Sequence, residues 1–131
     1  MKVFKFGGAS VKDAAGVKNL SSIVHQQHGQ LIVVVSAMGK TTNLLETLCN
    51  AYFHQDPKTT AIMKELKNFH LDIVNTLFPL NDTIHKHLEE LFTSLENILA
   101  SESSLCYDYE YDRIICFGEL ISTTIISDYL K

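Results

Sequence analysis

Leu31-Ile32-Val33-Val34-Val35 is an unbroken apolar run in which four of five residues are β-branched. Such a run, with no polar alternation, marks a strand buried on both faces of a parallel sheet. Upstream, Val3 to Phe6 is a second short strand-like run, stopped by Gly7-Gly8. Between them Ser10-Val11-Lys12-Asp13 reads as a capping box that opens a helix carrying Val17, Leu20 and Val24 on one face, and Gly29 closes that helix. Strand, helix and second strand make a parallel βαβ start, with a right-handed crossover as the default. The fold class is α/β.

Working outward from the second strand, the sequence turns helical. Ser36 to Thr42 is a polar loop, and Asn43 with Glu46 three residues on predicts a cap for a helix running to about His54. Asp56-Pro57 predicts the next start, with Ile62, Leu66, Phe69 and Ile73 at helical spacing and Phe78-Pro79 as the stop. A third helix begins near Asn81 or Asp82, with Ile84, Leu88, Leu91, Phe92, Leu95, Ile98 and Leu99 on a wide apolar face. Ser101 to Ser104 is a loop, and a last helix from about Tyr111 to Leu130 is apolar enough to lie against the sheet. Two strands for five helices leave the sheet edges open.

Composition narrows the function classes. The 131 residues are 46% apolar and 20% charged with two prolines, which fits one ordinary globular domain and excludes a disordered tail or a collagen-like fibre. Eleven basic against fifteen acidic side chains give a net charge of −4, too little positive charge for a row of phosphates, so no nucleic-acid partner is expected. The longest apolar run is far short of the roughly 20 residues that span a bilayer, and the N-terminus lacks a secretory h-region, so a cytoplasmic protein with no membrane partner is expected. Cys49, Cys106 and Cys116 are odd in number and read as reduced, mostly packed thiols.

Three stretches hold chemistry-bearing residues. Lys5-Phe6-Gly7-Gly8-Ala9-Ser10 sets glycine amides and a helix start beside an ammonium, which makes an anion site; the plainer reading is a steric βα turn with Lys5 merely exposed. Ser36-Ala37-Met38-Gly39-Lys40-Thr41-Thr42-Asn43 sits at the carboxyl end of a strand, where open α/β sheets bind ligands. Its Gly39-Lys40-Thr41 imitates a phosphate loop, but the pattern needs glycine at position 34 and finds Val34. Phe117-Gly118-Glu119 sets a carboxylate in the most apolar helix, with Ser122 and Thr123 on its face. Glu119 is either a structural or solvent-reaching acid or the receiver of a cationic ligand group, and Gly118 either makes room for that ligand or permits close packing. The pairs His25/His28 and His85/His87 have metal-like spacing without a matching Cys or carboxylate set, so they read as solvated, and no metal-ligating residues are assigned. Tyr107, Tyr109 and Tyr111 read as the packing edge of a loop.

In order and spacing, Lys5 to Val11, Val33 to Gly39 with Thr42-Asn43-Leu44, and Phe117 to Ser122 resemble the amino-acid kinase family, and within it the aspartokinases. A long helical insertion, here about 43–104, strengthens that likeness, since glutamate 5-kinase and other relatives have it short or absent. The resemblance implies the N-terminal part of a three-layer αβα sandwich, with a nucleotide-binding half and regulatory domains outside residues 1–131. It implies transfer of the ATP γ-phosphoryl group to the side-chain carboxylate of L-aspartate, with Mg2+ accompanying ATP, in a homo-oligomer. By position, Lys5 would be the catalytic cation, with Gly7, Gly8 and Ser10 also on the ATP phosphates, while Ser36, Thr42 and Glu119 would hold aspartate. Ala9 stands where the family usually carries threonine, so no side-chain contact is expected there. The alternatives are another amino-acid kinase, such as glutamate 5-kinase, and a non-catalytic helical interaction module.

Overall fold

A computed structural model describes residues 1–78 and 82–131. Strands β1 (Lys2–Phe6) and β2 (Leu31–Val35) pair in parallel, from Lys2 opposite Leu31 to Phe6 opposite Val35, and α1 (Ala14–His25) makes the crossover. The βαβ start is therefore present. The start of its helix differs from the sequence reading, because Ser10 donates its N–H to the Gly7 carbonyl at 2.9 Å and closes a 3-10 turn over Gly8–Val11. The cap falls instead to Asp13, whose Oδ1 accepts the Gly16 N–H at 2.8 Å. The helix ends at Gln26, and Gly29 takes φ +87° in the turn into β2, a conformation that glycine adopts without strain.

Burial along β2 alternates rather than running through both faces. Ile32 and Val34 remain 47% and 43% exposed, as does Val3 of β1 at 59%, while Val35 is buried. The reason is layering, since the helix that contacts β2 packs on the Val33 and Val35 side and nothing among the described residues covers the other face.

Helix α2 (Thr41–Phe53) begins two residues before the expected Asn43 cap, with the Thr41 hydroxyl donating to the Met38 carbonyl at 2.6 Å; Asn43 lies within the helix, exposed. Helix α3 (Thr59–Leu77) is entered through Asp56, whose side chain accepts the Lys58 N–H at 2.9 Å and whose carbonyl accepts the Thr59 hydroxyl at 2.7 Å. Pro57 stands in that turn, not in the helix. Phe78 ends α3 by donating to the Val74 carbonyl, whereas Pro79 and Asn81 lie outside the described residues. Helix α4 (Asp82–Ala100) buries Ile84, Leu88, Phe92 and Leu95 as its periodicity requires.

The expected last helix is two: α5 (Tyr107–Ile115) and α6 (Phe117–Leu130), divided at Cys116. The chain turns there because α5 packs on α2 while α6 packs on α4 and β2. The three tyrosines accordingly sit on a helix, not a loop edge. Tyr107 meets the Phe53 ring edge-on at 5.3 Å, Tyr111 donates to Glu46 Oε1 at 2.9 Å, and Tyr109 is covered by the Arg113 guanidinium at 5.3 Å.

Glu110, a buried residue in the first turn of α5, holds the preceding loop. Its Oε1 accepts the Ser104 N–H at 2.9 Å and its Oε2 accepts Arg113 Nε at 2.7 Å. Burial pushes its carboxyl up, but the Ser104 amide and Arg113 outweigh that and hold it below the usual carboxylate range. Leu45, Leu48, Leu66, Leu88, Phe92 and Ile121 share the core, each contributing about 1.5–3 kcal/mol of burial. Of the cysteines only Cys49 is packed; Cys106 and Cys116 are exposed because both fall at the ends of α5. No helix among the described residues is long and apolar enough to cross a membrane.

Candidate functional site

Both strands run out on the same side, and the loops that follow them touch through their backbones. Ser36 donates its N–H to the Phe6 carbonyl at 3.1 Å, continuing the ladder by one rung, and Gly39 donates to the Gly8 carbonyl at 3.0 Å. Gly8 is needed here on steric grounds, since a methyl at that position would stand 2.9 Å from the carbonyl oxygens of Ala37 and Gly39. The first turn of α6 closes in from the third side. A methyl on Gly118 would lie 2.8 Å from Ala37 Cβ and 3.2 Å from Leu45 Cδ1, and the Ser122 hydroxyl donates to the Ser36 carbonyl at 2.7 Å. Ala37 is therefore the point where three distant stretches meet.

Around that point lie the sequence-predicted residues. Lys5 is exposed near the end of β1, opposite Val34, and makes no ion pair among the described residues. Gly7 is exposed with nothing within 4 Å of where its side chain would begin, and Ser10 is exposed on the 3-10 turn. Ser36 is half-buried, its hydroxyl making only a long 3.4 Å bond to the Ala37 carbonyl, while Thr42 is exposed in the first turn of α2. The structure thus gathers all three loops at one edge of the sheet.

Glu119 is an acid that reaches solvent, one of the two readings the sequence left open. It is exposed in the first turn of α6, and Thr123 donates to its backbone carbonyl at 2.7 Å rather than to its carboxylate. Buried groups of α6 point the other way, so the carboxylate faces water at a helix N-terminus, where negative charge is favoured. No burial forces a cationic partner on it. Gly118 permits close packing, as the plainer reading had it.

Val34 lies within β2, so Gly39-Lys40-Thr41 forms no phosphate loop of the usual build. The histidine pairs are not simply solvated. His25 bonds Ser21, His85 Nε2 lies 2.8 Å from Asn75 Oδ1, and His87 Nδ1 lies 3.0 Å from Asp128 Oδ2. Among the described residues no three His, Cys, Asp or Glu side chains gather into a metal-binding set.

Sequence reasoning missed the support behind the second loop. His70 on α3 is fully buried, with Nε2 3.3 Å from Thr41 Oγ1 and Nδ1 2.8 Å from the Leu66 carbonyl. Burial pushes its pKa down to about 4, only partly opposed by that carbonyl. The available signal was its place on the Leu66–Ile73 apolar stripe. A cavity of about 300 Å³ beside it is lined by Lys40, Thr41, Asn43, Leu44 and Phe69, among others. A larger one, about 810 Å³, lies away from the loops between α3 and α4 and has no part in this arrangement.

The sequence profile of the amino acid kinase family matches residues 1–131. Among curated proteins, the chain is 32% identical to aspartokinase 2, chloroplastic, of Arabidopsis thaliana, over 98% of this chain and 24% of that protein. It is 27% identical to the aspartokinase of Chlamydia trachomatis, over 97% of this chain and 27% of that one. Among solved structures, Escherichia coli aspartokinase III in complex with lysine and aspartate superposes with a TM-score of 0.86 at 25% identity, over 99% of this chain and 28% of that chain. The same enzyme in complex with aspartate and ADP gives 0.84 at 26% identity, with the same coverage. The chain spans about a quarter of the length of these relatives. A profile match along every residue, together with three motifs that meet at Ala37, establishes that the chain belongs to the amino acid kinase family.

Proposed function

We propose that this chain supplies the phosphate- and aspartate-handling loops of an aspartate kinase. In that reaction a side-chain carboxylate oxygen of L-aspartate attacks the γ-phosphorus of ATP, the bond from that phosphorus to the β,γ-bridging oxygen breaks, and 4-phospho-L-aspartate and ADP result. Phosphoryl transfer asks the protein for alignment and charge neutralisation more than for covalent chemistry. Lys5, which makes no ion pair among the described residues, brings an ammonium to the transferring phosphoryl group. Gly7, bare of side chain and unobstructed, lets phosphate approach the backbone, with Gly8 and Ser10 completing the turn. Ser36 and Thr42 offer hydroxyls to aspartate, and the water-facing Glu119 pairs with its α-ammonium.

The single observation that supports this reading is the convergence of three stretches on Ala37, where the glycine turn and the first turn of α6 pack against the same loop. ATP phosphates fit the glycine turn on the same ground. The Mg2+ that travels with ATP finds no set of protein ligands among the described residues. A helical interaction module fares worse, because exposed apolar residues cluster on the sheet, at Val3, Ile32 and Val34, rather than along a helix face. Assembly into a homo-oligomer belongs to the same reading, and three unpaired cysteines suit the reducing cytoplasm. Aspartate-dependent release of ADP by the complete gene product carrying these residues, with the acyl phosphate trapped by hydroxylamine as aspartyl hydroxamate and its phosphoryl group released as inorganic phosphate, tests the reading. Transfer to glutamate instead, or no aspartate-dependent transfer, overturns it.

A further inference from the structure

Helix α3 lies directly behind the loop between β2 and α2. The Phe69 ring tip is 3.4 Å from where a side chain on Gly39 would begin, and Gly39 holds φ +54°. The next residue, His70, is wedged between Phe69, edge-on at 5.0 Å, and Phe92 at 6.4 Å. A carbonyl only accepts, so the 2.8 Å contact with Leu66 fixes the hydrogen on Nδ1 and leaves Nε2 bare in the neutral ring. The Thr41 hydroxyl then has one hydrogen between two acceptors, the Met38 carbonyl at 2.6 Å and His70 Nε2 at 3.3 Å. Donated to Met38 in the shorter bond and shared with Nε2 in the longer, that hydrogen ties the first residue of α2 to its own loop and, more weakly, to α3.

We infer that His70 is a positioning residue, which through Thr41 fixes the loop carrying Ser36 and Thr42 and so sets affinity for the amino-acid substrate without touching it. This rests on the reading of that loop as the one that holds aspartate. Phe69 backs the same loop, its ring lying against Gly39. Neither residue belongs to the glycine turn that receives phosphate, which meets their loop only through the Gly39–Gly8 backbone bond, so the larger effect falls on the amino-acid substrate.

The test uses three variants of the complete gene product: His70→Phe keeps a ring and removes Nε2, Thr41→Val keeps the shape and removes the hydroxyl, and His70→Gln restores an acceptor. His70→Phe and Thr41→Val are expected to raise KM for aspartate about tenfold, the size of one buried hydrogen bond, with kcat and KM for ATP within about twofold. His70→Gln recovers most of the loss, and the double variant is no worse than the worse single one. Amide exchange over residues 38–44 quickens in both disruptive variants while α4 is unchanged. Folded variants with unaltered aspartate KM and unaltered loop exchange overturn the inference, as does an equal loss for both substrates. If His70→Phe fails to fold, His70→Leu decides, because Thr41→Val also removes the bond to the Met38 carbonyl. If the wild-type protein does not phosphorylate aspartate, the kinase reading falls and loop exchange alone still decides the role of His70.

Discussion

Gly118 and Ala37 leave each other no room for a further carbon: a methyl on the glycine would stand 2.8 Å from the alanine Cβ. Alanine at 118 gains up to about 1 kcal/mol in helix propensity, yet overpacking a rigid contact costs about 1–3 kcal/mol. Gly118→Ala is therefore expected to lose about 1 kcal/mol net in a urea titration and to raise KM for aspartate, because α6 must back away from the second loop. A variant at least as stable as wild type, with unchanged KM, contradicts this.

Gly7 is the opposite case. Its φ of −77° suits any residue and its surroundings are empty, so Gly7→Ala should keep the thermal midpoint of the wild type. Turnover should nonetheless fall by about tenfold or more, since the added methyl occupies space proposed for phosphate. Full activity in Gly7→Ala removes phosphate from that space.

An exposed ammonium at a strand end does little for folding and much for a transferring phosphoryl group. Lys5→Met should leave the denaturation curve in place and cut kcat by about two to three orders of magnitude. Near-normal turnover in the folded variant ends the role given to Lys5.

For Glu119, the expected signature is selectivity between substrates. Glu119→Gln retains volume and loses the charge, so KM for aspartate should rise far more than KM for ATP, which has no ammonium to offer. Because the carboxylate already faces water, stability should hardly change. Equal effects on both substrates make Glu119 structural.

His70 stays neutral in the folded chain down to about pH 4, whereas an unfolded histidine takes up a proton near 6.5. Below 6.5 the unfolded state binds more protons, so this group's contribution is complete above pH 6.5, drains away between about 6.5 and 4, and is level below that. The total is about 3 kcal/mol. Urea midpoints measured from pH 7.5 to 4 should slope in the wild type and flatten in His70→Phe; parallel slopes disprove the assignment.

The βαβ start, β2 to the residue, β1 to within one residue at its start, and the apolar faces of α3 and α4 were legible because hydrophobic spacing is a local property of the chain. Helix starts were less so. Ser10 and Asn43 carry side chains suited to capping, but the tertiary contact of Gly8 with Ala37 and Gly39 spends Ser10 on a tight turn, and the Met38–Thr41 bond moves the start of α2 forward. The split at Cys116 was hidden because apolar residues continue across it, and only their two destinations, α2 and α4, reveal the bend. At the candidate site the glycine and hydroxyl loops could be read from type and position. The exposure of Glu119 and the tie from His70 to Thr41 depend on how elements 29 residues or more apart meet, which spacing alone does not encode.

The bond from Ser122 to Ser36 spans 86 residues of chain. A ribosome adding about 5–20 residues per second needs about 4–17 seconds to make that stretch, during which α2, α3 and α4 can pair among themselves through near neighbours in sequence. The two glycine loops thus exist for seconds without their third wall, with the backbone of Ser36 and Ala37 open to water. The proposed site closes only when α6 emerges and docks, so a nascent chain halted before Gly118 carries most of the proposed ligand-facing side chains without their third wall.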